Sequence, residues 1–220
     1  MNGLHTIQMM PARDRVAAAL REAILSHQIN PGEELTLKDT AAQLGVSATP
    51  VREALQILER EGLIELRPNR GAVVLGITSK RIRDHYQTRA ALERAAAILV
   101  CETGAPLEAI EQALSSADDA LAHGDSSRYS DQNQAFHWAI WAAAGNDKIQ
   151  ELLSSLWNGL SMGHKVTQDR YAQISMAEHH DIMAALRARD ARRAGDLMEH
   201  HIIRSMENVL THLEKEEQKG

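Results

Sequence analysis

The sequence predicts a mainly α protein in two parts: a small helical head closed by a β-hairpin, and a bundle of about six helices. Its 220 residues suffice for one large domain or two modest ones with a real core. Near residues 76–78 its character changes, from short segments broken by turn residues to long runs of alanine, leucine and charged residues that favour helix. No strand pattern follows that change. The expected division is therefore 1–76 and 77–220.

In the first part, Ala12 to His27 place Val16, Leu20 and Ile24 at intervals of four behind Pro11, which makes one amphipathic helix. The stretch INPGEEL turns the chain, because Pro31 and Gly32 extend a helix badly. Thr36 precedes LKDTAAQLG with Asp39 three residues on, an approximate capping box with Asp in place of Glu or Gln. Gly45 ends that short helix. The next begins at Ser47 or Thr49, either able to cap it, and tolerates Pro50 in a first turn where the missing amide would have been unpaired. Val51, Ala54, Leu55 and Leu58 form its buried face, with Arg52, Gln56 and Glu59 on the others. Gly62 stops it before LIEL and AVVL, two apolar runs flanking RPNRG, a hairpin with a basic tip.

This order of elements is expected of a winged helix-turn-helix, whose second helix enters the DNA major groove while its neighbour braces the backbone. Arg52, Arg67 and Arg70 then face phosphate or groove edges, and Thr49 offers its hydroxyl to phosphate. The plainer alternative pairs Arg52 with nearby glutamates and leaves the wing arginines solvated. Bulk charge argues mildly against nucleic acid: the net charge is -6, and residues 1–76 carry 8 Lys+Arg against 9 Asp+Glu. DNA binding thus depends on where particular arginines sit.

For the second part the periodicity predicts helices over 79–102, 106–122, 126–144, 147–158, 168–188 and 191–214. Breaks fall near Gly104, Gly124, Gly145 and Gly159 to Gly163, and Asp190 caps the last helix. A glycine-rich phosphate loop and a nucleophile elbow are both missing, which argues against a Rossmann enzyme. The single cysteine, Cys101, cannot form an internal disulfide and reads as a small apolar filler, the alternative being a free reactive thiol. That usage fits a reducing cytoplasm. MNGLHTIQMMP lacks the features of a signal peptide, and no segment approaches about 18 uninterrupted apolar residues, so neither export nor a membrane span is expected.

Nine of the eleven histidines follow residue 80. Asn133 and His137 stand four apart on one helix, so both address one point. His179 continues the inward stripe of Ile182, Met183 and Leu186, and His201 sits between Leu197 and Ser205 at intervals of four. Three inward imidazoles need partners, since each neutral ring brings a donor and an acceptor that are costly to leave unpaired. A divalent metal would satisfy one nitrogen of each, and Zn²⁺ or Ni²⁺ suits three histidines better than Mg²⁺. The alternative is ordinary buried or surface histidines. His180 and His200, each offset by one, are expected in solvent; His85, His123, His164 and His212 have no partner at metal spacing.

The stretch PGEELTLKDTAAQLGVSATPVREALQILEREGLIELRPNRGAVV closely resembles the N-terminal domain of the GntR family of bacterial transcription regulators, the likeness covering residues 12–75. It implies DNA contacts from Lys38, Ser47, Thr49, Arg52, Arg67, Asn69 and Arg70. Arg52 falls at the invariant arginine of the recognition helix, and Lys38 where relatives often have an arginine. Ala48 departs from the pattern, since most relatives carry arginine there; alanine has no donor for guanine N7 and O6, so the usual operator consensus does not carry over.

The second part, through NQAFHWAIWAAAGN, AEHHDIMAALRARD and AGDLMEHHI, resembles the FCD-type helical effector domain of the FadR-like branch, in the group whose domain carries a metal. The likeness implies His137, His179 and His201 as ligands, with Asn133 where an aspartate ligand is usual. Asparagine brings a carbonyl oxygen but no charge, which leaves the ion more electropositive and favours an anionic ligand. Small organic acids are the usual effectors of such proteins. Arg89 is a candidate second clamp on a carboxylate; the alternative is an ion pair with Glu93 one turn onward.

The expected function is a ligand-responsive repressor, a homodimer whose two heads bind two half-sites of operator DNA. Two other readings stand beside it. One is a DNA-binding or partner-binding protein whose metal only braces the bundle. The other is a metal-dependent hydrolase, against which no carboxylate is placed as a general base and the head would have no role.

Overall fold

The computed structural model describes residues 11–26, 28–68, 70–76, 78–157 and 169–217. The chain forms two compact units, Met1–Thr78 and Ser79–Gly220.

In the first unit α1 (Ala12–Leu25) follows Pro11 and buries Val16, Ala17, Leu20 and Ile24 along one face. It ends at Leu25; His27, where the spacing ended it, lies outside the described residues. After the turn, β1 (Glu34–Leu35) leads into α2 (Leu37–Leu44). The Thr36 hydroxyl accepts the Asp39 amide at 3.1 Å, so the expected cap forms, but the Asp39 carboxylate accepts from that same hydroxyl at 2.7 Å, whereas a full capping box would have it accept from the Thr36 backbone N–H. Gly45 ends α2 in the left-handed conformation.

α3 (Ala48–Arg60) then buries Val51, Ala54, Leu55 and Leu58. β2 (Ile64–Arg67) and β3 (Gly71–Val74) form the hairpin, and all three strands pair antiparallel in the order β1-β3-β2. Leu35 faces Ala72 on one side of β3 and Leu66 faces it on the other. The two-residue β1 has no sequence signal of its own, because a strand that short shows no alternation. Gly71 allows the pairing: its φ is 90°, and a Cβ there would overlap the Leu35 carbonyl oxygen.

The second unit contains six helices among the described residues: α4 (Ser79–Glu102), α5 (Glu108–Ala122), α6 (Ser126–Ala143), α7 (Asp147–Leu156), α8 (Asp169–Arg187) and α9 (Ala191–Glu217). The polar junction between α8 and α9 is held twice over. Asp190 accepts the Arg193 amide at 3.0 Å as the cap. Arg189 takes the left-handed conformation at φ 54°, its guanidinium bonded to the carbonyls of Val100 and Ala105 at 2.9 and 2.7 Å. Phe136, Ile140, Trp141, Ile182, Leu186 and Met198 lie in the core. The break at Gly159 to Gly163 falls outside the described residues. Among the described residues no helix is long and apolar enough to cross a membrane.

Candidate functional site

Within this apolar interior the bundle buries charge. Arg89 and Glu93 on α4, His137 on α6, His179 on α8 and His201 on α9 are each no more than 3% exposed. Each sits on a stripe that periodicity turns inward, so the helices themselves aim these side chains at the core.

The three histidines meet. One ligand atom from each lies within 4.8 Å of the others, and this buried triad can hold a divalent metal ion. His179 Nε2 and His201 Nε2 are 3.3 Å apart. Two nitrogens bound tetrahedrally at zinc distances stand about 3.3–3.4 Å apart, so this pair already has the spacing of neighbouring ligands. Among the described residues His179 Nδ1 is a buried polar atom with no hydrogen-bond partner, as are Trp141 Nε1 and Trp157 Nε1. The His179 ring stacks on Phe136, with centroids 4.4 Å apart.

Behind the triad stand two ion pairs. His137 Nδ1 donates to Glu93 Oε2 at 2.5 Å, and Arg89 Nε donates to the other oxygen at 2.6 Å. The Arg89 guanidinium lies over the Trp157 ring at 4.2 Å. His201 Nδ1 donates to Glu178 Oε2 at 2.6 Å, and Arg204 binds the same carboxylate through both oxygens at 2.6 Å each. Arg204 also donates to Ser175 Oγ at 2.8 Å and lies over the Tyr171 ring.

Burial and these charges set the protonation of the site. Burial holds His179 well below its usual pKa, with His201 and His137 adding to the effect. Burial likewise lowers His201 to about 4, although Glu178 pulls the other way. Neutral imidazole is the form that ligates metal. Burial raises Glu93, but Arg89 and His137 outweigh it and bring the carboxyl down to about 2. Glu178 is lowered in the same manner, its bonds to His201 and Arg204 overcoming burial.

Asn133 stands one turn before His137 on α6 and is half-buried. Arg89 engages Glu93, the partner one turn onward. His180 and His200 are exposed, and His180 pairs with Asp118 at 3.0 Å. Sequence reasoning missed Glu178 and Arg204, and it missed the bond from Glu93 to His137. Those pairings span 23 and 44 residues, beyond any helical periodicity.

In the first unit Lys38 on α2, Ser47 and Thr49 at the start of α3, Arg52 on α3, Arg67 on β2 and Arg70 at the hairpin tip are all exposed. Ser47 takes the N-cap position without a side-chain capping bond. Arg52 makes no ion pair among the described residues, whereas Arg67 pairs with Glu65 at 2.9 Å in solvent. Asn69 lies outside the described residues.

Two family models match the chain: one described as bacterial regulatory proteins, gntR family, over residues 12–74, and one described as the FCD domain over residues 84–204. The chain is similar to the gluconate operon transcriptional repressor of Bacillus subtilis, 34% identical over 148 residues. That match takes in 66% of this chain and 59% of the relative, so the chain spans less than two thirds of that protein's length. It is also similar to the transcriptional repressor RspR of Escherichia coli, 27% identical over 213 residues, covering 90% of this chain and 89% of RspR. Among solved structures, a transcriptional regulator GntR from Rhodococcus sp. RHA1 matches at a TM-score of 0.66 and 30% identity, covering 90% of this chain and 97% of that one.

Proposed function

Because the chain belongs to the GntR family of bacterial transcription regulators and carries the FCD domain, we propose that it is a repressor whose hold on operator DNA is set by a small carboxylate bound beside its three histidines. The carrying observation is the convergence of His137, His179 and His201 in the unit that follows the winged head.

The three imidazoles hold Zn²⁺ or Ni²⁺, with the Asn133 carbonyl oxygen as a further donor. Bound there, the ion supplies an electropositive position that an anionic oxygen completes. The surrounding charge favours this, because Arg89 offsets Glu93 and Arg204 offsets Glu178, and imidazole and amide donors add no negative charge when they ligate. Arg89, its Nε committed to Glu93, contributes positive charge to the effector site.

In the head, α3 lies in the major groove. Lys38, Ser47, Thr49, Arg52, Arg67, Asn69 and Arg70 bind phosphate or base edges, as the exposure of six of them allows. Two heads of a homodimer in the cytoplasm read two half-sites. The acid acts only in so far as it binds the two arrangements of the heads with different affinity.

The test is titration of an operator, selected from a random duplex pool, at fixed salt against zinc-loaded and metal-free protein. The panel of carboxylates includes gluconate, after the operon named for one relative. One acid is expected to shift operator affinity by about 5–150-fold in the loaded protein only. Indifference to every acid, with operator binding intact, would favour an ion that merely braces the bundle. The relatives reported above are all transcription regulators, which sets the hydrolase reading aside.

A further inference from the structure

We infer that Glu93 and Glu178, each held by its own arginine, are positioning residues that present Nε2 of His137 and Nε2 of His201 to one shared ion; this rests on the metal reading above. A neutral imidazole carries its proton on one nitrogen and a lone pair on the other, and the neighbours decide which. An ionised carboxylate only accepts, so the nitrogen facing it carries the proton. Nδ1 faces Glu93 in His137, at 2.5 Å, and Glu178 in His201, at 2.6 Å. In the neutral form, the form that ligates metal, both rings therefore hold a lone pair on Nε2. In His201 that atom lies 3.3 Å from Nε2 of His179, inside the cluster.

Neither carboxylate is free to turn. The second oxygen of Glu93 accepts from Arg89 and that of Glu178 from Arg204, each at 2.6 Å. Each guanidinium is in turn fixed over an aromatic ring, Trp157 for Arg89 and Tyr171 for Arg204. The same chain of aromatic ring, guanidinium, carboxylate and imidazole is thus built twice. One copy joins α4 to α6 and the other joins α8 to α9. An ion pair serving stability alone is complete with its arginine and glutamate; here both carboxylates also hold a ring aimed at a common point. Such outer partners orient ligating histidines and fix their tautomer. His179 is the exception: it stacks on Phe136, its Nε2 lies 3.3 Å from Nε2 of His201, and among the described residues its Nδ1 has no partner, so two members of the triad are oriented by carboxylates and one is not.

Two measurements on the 220-residue chain test this. Nitrogen-15 labelled histidine resolves the tautomers in the metal-free and zinc-loaded wild type. The proton is expected on Nδ1 of His137 and His201 in both states, with zinc shifting their Nε2 resonances. Zinc affinity, measured by competition with a chromophoric chelator, is expected to fall about 10–100-fold in Glu178→Ala. It should recover largely in Glu178→Gln, whose amide oxygen still accepts the Nδ1 proton. A proton on Nε2 of either ring in the metal-free wild type, or wild-type zinc affinity in Glu178→Ala, overturns the inference while leaving the metal reading intact. A wild type that binds no zinc overturns both.

Discussion

Arg52 shows how a proposed function that bulk charge argues against comes to rest on one residue's placement. Val51, Ala54, Leu55 and Leu58 on α3 are at most 1% exposed, and burying that face leaves Arg52 outward. Among the described residues no ion pair holds it, and under the proposed reading its guanidinium reaches DNA. Arg52→Ala is expected to cost about 1–3 kcal/mol of operator binding, with circular dichroism unchanged. Fluorescence anisotropy at fixed salt checks this, and undiminished affinity would remove α3 from the groove. Ala48, exposed in the first turn of the same helix, brings no donor for guanine, so under the proposed reading that base contact is not made from this position.

At the scale of elements, the wing depends on a strand too short to announce itself. β1 contributes two residues, yet it pairs with β3 and so ties the hairpin to the segment between α1 and α2. Gly71 is the point of closest approach. Gly71→Ala would place a Cβ against the Leu35 carbonyl oxygen at a φ of 90°, and the backbone strain alone costs about 1–3 kcal/mol. Thermal unfolding of the variant should show the head destabilised and operator affinity reduced; a midpoint equal to wild type would mean that β1 does not hold the wing. The helices, by contrast, were legible almost to their ends. Capping by Thr36 and Asp190 and punctuation by Gly45, Gly104, Gly124 and Gly145 are local chemistry, and local chemistry is written in consecutive residues.

For the whole molecule, the buried histidines couple folding to pH. His201 titrates at about 4 in the folded bundle, and burial holds His179 well below its usual value. Unfolded, both titrate near the ordinary value of 6.5. Between those limits the unfolded chain takes up protons that the folded chain refuses. Stability from these groups is therefore complete above about pH 6.5 and falls as pH drops towards 4. Glu93 acts lower, its contribution intact above about 4.5 and lost as pH falls towards 2. Urea midpoints of the metal-free protein should stay nearly level from about pH 7.5 to about pH 6.5 and decline from there to about pH 5. A flat profile would show that the two imidazoles are not buried in neutral form.

The amino-acid order by itself determined the two-part architecture, the extents of the helices and the inward stripe on which each of His137, His179 and His201 lies. It did so because a helix face is set by residues three and four apart. Only the tertiary structure decided that the three rings meet, that Glu178 with Arg204 and Glu93 with Arg89 stand behind two of them, and that β1 joins the sheet. Those contacts join segments far apart in the chain. Which of several inward residues touch across a core depends on how whole helices pack, and no local spacing records that.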